Sequence, residues 1–468
     1  MRLGEDYPVE YISDLDRRFG ISQEPYSRTV HELTQAAETG HDVSAMRAVV
    51  SALSGTGADD AQLEVIYAQI PQVPVAGWAY YEPSDLEAIT AALPASSPPA
   101  ATDRLDDRLR GAWYGQIVGN MLGKPVEFGW SRSDLKDYLV AQNSYPLQDY
   151  VPITDEELIR LSAGGRHEDI WRPEIRGFVP GAMDYAAVSR GRIQGGVRDD
   201  DIDWSILNLA LLEECGSGFT AYDLARTWLT RMPVYQTYTA ERAAYNNLVR
   251  EVPLEHVGAF HNPYREWIGA LIRADVFGYI NPGNPRAAAL LAHRDAFLSH
   301  RANGIYGEMW AAALIASAFT APTPIDSLDE SLRHIPPGSR LAHEIRTVLA
   351  DYTAGRSWDQ AMDALDARYA GMSWIHTLNN AGALTAAIAY GAGDFSATVG
   401  LAVLAALDTD SIGATAGSWA GAFNGYDALP SHWIEPLEGR TRSAVFGFGE
   451  VQIDDLVRRT SALMARTG

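Results

Sequence analysis

Two runs of glycine, each with a glycine at every fourth position, constrain the fold of this chain more than any other feature. They are Gly111, Gly115, Gly119 and Gly123, and Gly413, Gly417, Gly421 and Gly425. A spacing of four places each run along one stripe of a helix. Each glycine inside a helix costs about 1 kcal/mol relative to alanine, and close approach of two helix backbones would compensate. We expect both stripes to line the centre of a helical bundle. The alternative is a glycine-rich composition without structural meaning.

The chain after Asp103 is predicted to be helical almost throughout. Apolar residues recur there with helical periodicity, and alternating strand patterns are almost absent. The periodic segments include Asp106–Gly119, Asp203–Glu214, Ala221–Arg231, Ala240–Arg250, Pro285–His300, Glu308–Phe319, Asn380–Tyr390, Ser396–Leu407 and Ser411–Phe423. Several are apolar on most faces, which indicates helices buried on several sides. The sequence therefore predicts an all-α fold, a compact multi-helix bundle.

A segment rich in proline, serine and alanine, Ala92 to Asp103, is typical of a linker. It divides the chain into a small, mainly helical N-terminal extension, residues 1–95, and a main domain, residues 104–468. The extension carries Trp78, Tyr80 and Tyr81 near its end. Such an aromatic cluster favours docking on the main domain. The alternative is that it shapes the mouth of a substrate cleft.

The charge balance argues against two classes of partner. Lys and Arg number 37 and Asp and Glu 60, which gives a net charge of −23. Proteins that bind nucleic acid or an anionic membrane present a basic face, so we expect no nucleic-acid groove and no membrane contact. The single cysteine, Cys215, excludes a disulfide framework and a CxxC zinc site. Because no apolar run approaches the length of a membrane span and the N-terminus lacks a signal-peptide pattern, a cytoplasmic protein is predicted. The oligomeric state stays open.

Three adjacent carboxylates, Asp199, Asp200 and Asp201, precede a strongly apolar helical segment. Adjacent carboxylates repel each other unless a cation or a helix N-terminus compensates. Aspartate is favoured at a helix N-cap, where the helix dipole stabilises negative charge. Taken alone, this cluster is explained either by capping or by a bound cation.

A second acidic cluster, Asp408, Asp410 and Ser411, lies before the second glycine run. Capping explains one residue, Asp410 or Ser411, but not Asp408, which we expect at the end of an apolar helix, where the dipole disfavours an anion. A divalent cation shared by the two clusters accounts for both. Oxygen ligands without His or Cys nearby select Mg²⁺, Mn²⁺ or Ca²⁺ over zinc. Their number would serve two ions about 3.5–4 Å apart.

A third candidate, Glu127, follows the first glycine run directly after Pro125. Pro125 ends the helix, so Glu127 is predicted on the loop that follows. A loop glutamate is usually only solvated. Its position just past a predicted core helix makes it a candidate functional residue.

Together these segments resemble the ADP-ribosylglycohydrolase family over roughly Arg104 to Gly425. The resemblance is carried by GAWYGQIVGNMLGKPVEF, by the DDD segment with its apolar helix, and by DTDSIGATAGSWAGAFNG. It implies an all-α fold around a dinuclear Mg²⁺ or Mn²⁺ centre. It also implies hydrolysis of an N- or O-glycosidic bond at the anomeric carbon of an ADP-ribosyl group. Such a substrate would be a small molecule or linked to a protein.

The resemblance also assigns residues. The family's first metal motif falls on Asp199, Asp200 and Asp201, and a shift that places its Asp pair on Asp199 and Asp200 stays open. The second motif is matched by Asp408, Asp410 and Ser411, the mobile glutamate by Glu127, and the substrate histidine by His300. The sequence departs from the family pattern at Asn120, where Asp is common, and at Ala406-Leu407, where a glycine pair is common. The nearest candidate for its pyrophosphate loop is Gly278–Pro285.

These assignments give a predicted site. Metal ligands are expected at Asp199, Asp200, Asp201, Asp408, Asp410 and Ser411, and catalytic roles at Glu127, Asp200 and Asp201. Substrate contacts are predicted at His300, Asn303, Gly304, Tyr306, Asn379 and Asn380. For Tyr306 the alternative is a core aromatic, and for the Asn pair it is a helix cap, which explains only one Asn.

Two other functions are weighed against the first. One is hydrolysis of a small ribosyl or nucleoside compound on the same scaffold, which the altered pyrophosphate region motivates. The other is a non-catalytic protein that binds ADP-ribose or a metal. The intact acidic motifs argue against lost catalysis.

Overall fold

The computed structural model describes residues 25–53, 60–96, 98–127, 129–158 and 185–467. Structural statements below refer to these residues. None of the helices among them has both the length and the apolar character that a membrane span requires.

The described chain is almost entirely helical, as predicted. Its α-helices are α1 (Pro25–Glu38), α2 (Ser44–Leu53), α3 (Asp60–Tyr67), α4 (Leu86–Ala92), α5 (Leu105–Gly123), α6 (Arg132–Ala141), α7 (Asp200–Cys215), α8 (Ala221–Arg231), α9 (Thr239–Val249), α10 (Leu254–Val257), α11 (Asp275–Tyr279), α12 (Pro285–Ala296), α13 (Asn303–Ala318), α14 (Pro324–Ser331), α15 (Arg340–Thr353), α16 (Trp358–Arg368), α17 (Thr377–Gly391), α18 (Phe395–Leu404), α19 (Thr409–Asn424), α20 (Ser431–Ile434) and α21 (Ile453–Thr467). Short 3₁₀ turns lie at Lys124–Val126, Val234–Gln236, Ile268–Arg273, Leu332–His334, Tyr426–Ala428 and Glu435–Leu437.

Strand structure in the described residues is limited to one small antiparallel pair. Strand β1 (Arg440–Arg442) pairs with β2 (Glu450–Gln452), with Thr441 opposite Val451. The all-α fold class is therefore confirmed.

Helices α5 and α19 pack against each other at the centre of the bundle, antiparallel and glycine to glycine. A Cβ added at Gly115 would overlap the carbonyl oxygen of Gly417, and one added at Gly119 would overlap that of Gly413. The same close approach at Gly123 brings its backbone to Thr409, whose Oγ1 donates to the Gly123 carbonyl at 2.9 Å. The prediction that both glycine stripes line the bundle centre is confirmed.

Helices around this pair are buried on most faces. Helix α13 is buried along its whole length, and α17 along almost all of its length. Trp113 on α5 and Trp419 on α19 are fully buried. The helix pair therefore lies in a close-packed interior.

The N-terminal extension has a small apolar core of its own, formed by α1, α2 and α3 and including Val30, Leu33 and Val50. Its contacts with the main domain are largely polar and buried. Glu32 of α1 forms a two-pronged ion pair with Arg265, with N–O distances of 2.8 and 3.0 Å. Farther along, Glu82 pairs with Arg340 at 2.9 Å. Charged groups therefore hold the extension in place.

Candidate metal centre

The site is built where the C-terminal end of α5 meets the N-terminal end of α19. Because the glycine contact runs antiparallel, residues just after Gly123 lie beside residues just before and within the first turn of α19. Lys124 and Glu127 come from the first segment, and Asp408 and Asp410 from the second. The two chemical motifs are 281 residues apart, counted from Glu127 to Asp408, and the backbone contact brings them together.

The start of α7 supplies the third segment. Asp199 is the N-cap of this helix, and its carboxylate accepts from the Asp201 backbone N–H at 3.2 Å. Asn120 on α5 donates to Asp199 Oδ1 at 3.0 Å and to Asp201 Oδ2 at 3.4 Å. The capping interpretation of this cluster is therefore correct for Asp199, and it leaves the other two carboxylates without that role.

The predicted location of Asp408, at the end of an apolar helix, was wrong. Helix α18 ends at Leu404, and Asp408 lies at the N-cap position of α19, where its side chain makes no capping bond. Its backbone N–H donates to Asn380 Oδ1 at 3.1 Å. An apolar run does not reveal where a helix stops, and the chain turns at Ala406, whose φ is +51°. The carboxylate of Asp408 thus faces Asp410 and Ser411 instead of capping the helix.

The carboxylates form two groups that share Asp410. One group contains Glu127, Asp408 and Asp410, and the other contains Asp199, Asp201 and Asp410. Within each group the chosen oxygen atoms lie within 4.8 Å of one another. Asp200 and Ser411, also predicted as ligands, are outside both groups, although the Ser411 hydroxyl lies 3.5 Å from Asp201 Oδ2.

Lys124 lies among these carboxylates and was missed as a site residue. Its Nζ is 2.5 Å from Asp199 Oδ2, 2.8 Å from Asp410 Oδ2 and 3.1 Å from Glu127 Oε2. A signal was present in the sequence, because Lys124 and Lys136 are the only lysines among 37 basic residues. Because lysine is so rare in this chain, its presence in a motif-rich segment indicates a functional role.

The electrostatics of the cluster show an excess of negative charge. Burial, reinforced by Asp410, raises the pKa of Glu127 well above its usual value, and burial with Asp199 raises the pKa of Asp200 to about 8. Burial and neighbouring carboxylates also raise the pKa values of Asp201 and Asp408. The neighbouring cations do not offset the mutual repulsion of these carboxylates, so a further cation would stabilise their charged forms.

Charges at Lys124 and Asp199 are stabilised together. Burial opposes both charged forms, but their mutual attraction outweighs it, so the pKa of Lys124 lies well above its usual value and the pKa of Asp199 below. These two groups therefore form a tight ion pair inside the cluster.

The donor set fits a hard divalent cation. All its candidate ligands are oxygens, which suits Mg²⁺ or Mn²⁺. Asp201 is 2% exposed, and its Oδ1 has no hydrogen-bond partner. A buried carboxylate oxygen without a partner is costly, and a cation would satisfy it. By contrast, neighbouring Asp203 is matched by Arg198 at 2.6 Å and by Ser443 at 2.7 Å, which explains why this fourth aspartate is not part of the cluster.

Comparison with known families decides the class of protein. The model of the ADP-ribosylglycohydrolase family matches residues 101–466. The chain belongs to the ADP-ribosylglycohydrolase family. This membership indicates a hydrolase of that type. The matched residues include both glycine-containing helices, the six predicted acidic site residues and all but the last residue of the C-terminal helix. A comparison with curated proteins gave no significant match. A solved structure titled "ADP-ribosylglycohydrolase-related protein complex" aligns with 20% identity and a TM-score of 0.45, covering 78% of this chain and 99% of that chain.

In this ADP-ribosylglycohydrolase-family chain, the predicted substrate residues around α13 contact residues outside the acidic cluster. His300 Nδ1 lies 2.7 Å from the Ser299 hydroxyl, and Asn303 donates to Glu82 and Glu266, both at 2.8 Å. The Tyr306 hydroxyl donates to the carbonyl of Pro83, and Gly304 packs under the Arg265 carbonyl. Asn303 and Tyr306 thus hold the extension, and the substrate role of these residues stays a prediction.

The predicted asparagine pair lies closer to the metal candidates. Asn380 positions the Asp408 backbone, as described, and also donates to the carbonyls of Trp374 and His376. Asn379 donates to the Ser373 carbonyl. The cap of α17 is His376, so the capping alternative for the asparagines is wrong.

The family's pyrophosphate loop has no open counterpart at Gly278–Pro285. A Cβ at Gly278 would meet the Ile315 side chain, so this backbone packs into the core. Gly283 donates to the Ala316 carbonyl and accepts from Ala100, both at 2.9 Å. With these backbone groups already paired, the segment is not a free cradle for phosphate.

Proposed function

We propose that this protein is a metal-dependent glycohydrolase that cleaves the bond at the anomeric carbon of an ADP-ribosyl or related ribosyl group. The observation that carries the proposal is the meeting of three acidic segments at the α5–α19 contact. Five carboxylates form two groups there, one of them with an unpartnered oxygen on Asp201, and three of the five contact the ammonium of Lys124. Membership of the family supplies the reaction type.

The residues that would hold Mg²⁺ or Mn²⁺ are Asp199, Asp200, Asp201, Asp408, Asp410 and Ser411. When bound, a divalent cation would supply Lewis acidity at the ribose hydroxyls and at the attacking water. Asn380 fixes the backbone of Asp408, so the donors are held before a ligand arrives. Such preorganisation reduces the cost of assembling the site.

Glu127 is the proposed proton carrier. It lies on the segment after Pro125, bonded to Lys124 at 3.1 Å, with its side chain 12% exposed. Burial and Asp410 raise its pKa well above the usual range, which favours the protonated form of this carboxyl group. Glycosidic cleavage needs a group that donates a proton to the leaving atom or takes one from water.

The substrate is proposed to be a small molecule or a protein-linked ADP-ribosyl group. The occupied backbone at Gly278–Pro285 favours the second candidate function, hydrolysis of a small ribosyl or nucleoside compound without a pyrophosphate. Calorimetry with ADP-ribose and with ribose 5-phosphate in the presence of Mn²⁺ separates them. Binding of ADP-ribose alone supports the first substrate, and binding of ribose 5-phosphate alone supports the second.

The deciding experiment measures release of the ribosyl product from ADP-ribosylated arginine, ADP-ribosylated serine peptides and nucleosides, with Mn²⁺ and with EDTA. We expect turnover of at least one substrate that EDTA abolishes. Asp201→Asn should lose this turnover while circular dichroism stays unchanged, and Asp200→Asn tests the predicted role of the residue next to it. Metal-dependent ADP-ribose binding without turnover of any substrate would instead support a binding protein.

A further inference from the structure

We propose that the ammonium of Lys124 permanently fills one of the two cation positions of the acidic cluster, so that this chain binds a single divalent ion. The inference deepens the proposed function, because it rests on the same metal site. It concerns the number of ions and revises the expectation of a dinuclear centre.

The first argument is geometric. An ammonium has three hydrogens to donate, and Lys124 Nζ lies within 3.1 Å of three carboxylates, those of Asp199, Asp410 and Glu127. These contacts engage two of the three members of each carboxylate group, since Asp410 belongs to both. A second divalent ion would have to share every one of these carboxylates with a cation already in place.

The second argument is that Lys124 is fixed from both sides of its backbone. Its N–H, at the C-cap of α5, donates to the Asn120 carbonyl, and Gly123 before it is pressed against Thr409. Pro125 follows and restricts the chain after it. The side chain is 13% exposed. Moving this buried ammonium away from its three carboxylate partners would leave buried charges unpaired, which is strongly unfavourable.

The third argument concerns residue type. Of the 37 basic residues, 35 are arginine, and yet this position has lysine. The ammonium is a compact point charge on a flexible stem, whereas a guanidinium is a broad planar fork. An ammonium is close to a small cation in size and can be surrounded by oxygen atoms in the same way, whereas a guanidinium is too broad.

Ligands for one ion remain. Asp408 and Asp201 are the members of the two groups that Lys124 does not contact, and Oδ1 of Asp201 has no hydrogen-bond partner. One ammonium does not compensate the carboxylates of both groups, so a divalent ion is still favoured there. The ammonium therefore lowers the number of ions without abolishing binding.

The test measures Mn²⁺ stoichiometry by calorimetry and electron paramagnetic resonance on the full-length chain, without substrate. We expect one Mn²⁺ per wild-type chain, with the spectrum of an isolated ion. Lys124→Met, which keeps the stem and removes the charge, should bind two ions with a spin-coupled spectrum. Lys136→Met is the matched control, because Lys136 is partly exposed, pairs with Asp359 outside the acidic cluster and should leave the count at one.

Two coupled ions in the wild type, or one ion in a folded Lys124→Met, would overturn the inference. Lys124→Gln provides a second neutral side chain should the Met variant not fold. Product release is measured on the same samples. One ion without turnover would leave the inference standing and remove the proposed function, whereas turnover with two ions in the wild type would do the reverse.

Discussion

Asp410 is the carboxylate that the two oxygen groups of the described cluster share. It also lies 2.8 Å from Lys124. Asp410→Asn should weaken Mn²⁺ binding by at least about 10–100-fold, because even supporting residues of metal sites have effects of that size. Calorimetry gives the affinity, and thermal unfolding with and without Mn²⁺ gives an independent measure. The thermal stabilisation by Mn²⁺ should disappear.

The control is Asp427→Asn, an exposed carboxylate in the turn after α19. It changes the net charge by the same amount and should leave Mn²⁺ affinity unchanged. Equal loss in both variants would mean that the effect comes from overall charge and not from the site.

At this scale the carboxylates could be predicted from sequence, whereas for Lys124 the sequence showed only that lysine is rare and not which groups it contacts. Asp199–Asp201 and Asp408–Asp410 are local patterns, each at the start of a helix, and local patterns are visible in one dimension. Two of the three partners of Lys124, Asp199 and Asp410, lie 75 and 286 positions away in the sequence. Its contacts depend on the antiparallel register of α5 and α19, which periodicity alone does not define.

Among the helices, the α5–α19 pair tolerates least change. A Cβ at Gly115 would overlap the Gly417 carbonyl oxygen, which is backbone and cannot swing aside. Gly115→Ala should therefore destabilise the protein by about 2–4 kcal/mol, although alanine is the better helix former. Urea unfolding followed by circular dichroism measures the free energy. Mn²⁺ affinity should fall as well, since the same contact aligns the two halves of the site.

Gly218→Ala is the matched control, because nothing lies within 4 Å of a Cβ there. Its free energy of unfolding should change by less than about 0.5 kcal/mol. A Gly115→Ala protein as stable as this control would show that the glycine contact is not required.

Helix α1 should make the extension sensitive to acid. His31 on α1 is buried, with its ring against Tyr264 and Trp267 at centroid distances of 4.9 and 5.5 Å. Burial lowers its pKa from 6.5 to about 4. The unfolded chain therefore binds a proton between pH 6.5 and 4 that the folded chain does not. Stability from this group is complete above pH 6.5 and is lost as the pH falls to 4, by about 3 kcal/mol in total.

Intrinsic tryptophan fluorescence and limited proteolysis between pH 7 and 4.5 measure this loosening. His31→Phe should reduce the change, because an apolar ring does not titrate. His41→Phe, in the turn after α1 and partly exposed, is the control and should behave as the wild type. Identical acid profiles for His31→Phe and wild type would assign the transition to other groups.

Helix positions were predicted well where periodicity is strong and poorly where a helix ends. The predicted Ala221–Arg231 is exact, whereas Pro285–His300 ends early, at Ala296, and Ser396–Leu407 at Leu404. An apolar run continues past the helix when the following turn is also buried, as Leu298 and Ala405 are. Helix ends depend on tertiary burial, and that information is not local.

For the whole molecule, the sequence predicted an all-α bundle and a docked extension, but not how the extension is held. An aromatic patch was expected to dock it. Trp78 and Tyr80 do pack together, and Arg340 lies over the Trp78 ring. Buried ion pairs also hold the extension, with Arg265 and Arg340 on one side and Glu32 and Glu82 on the other. Pairing partners this far apart in sequence leave no periodic pattern.

This arrangement makes removal of the extension a sharp test of what the main domain needs. Deleting the residues before Asp103 would leave Arg265 without Glu32 and uncover the rings of Tyr264 and Trp267. An uncompensated buried charge costs several kcal/mol, so we expect lower stability, lower solubility and greater binding of a hydrophobic dye.

The described contacts among the metal candidates all lie between Asn120 and Ser411, so Mn²⁺ should still bind to the truncated protein with unchanged stoichiometry. Full-length Arg265→Gln is the partner variant and should reproduce part of the stability loss without exposing the rings. A truncated protein that remains folded by circular dichroism but binds no Mn²⁺ would show that the extension contributes to the site itself.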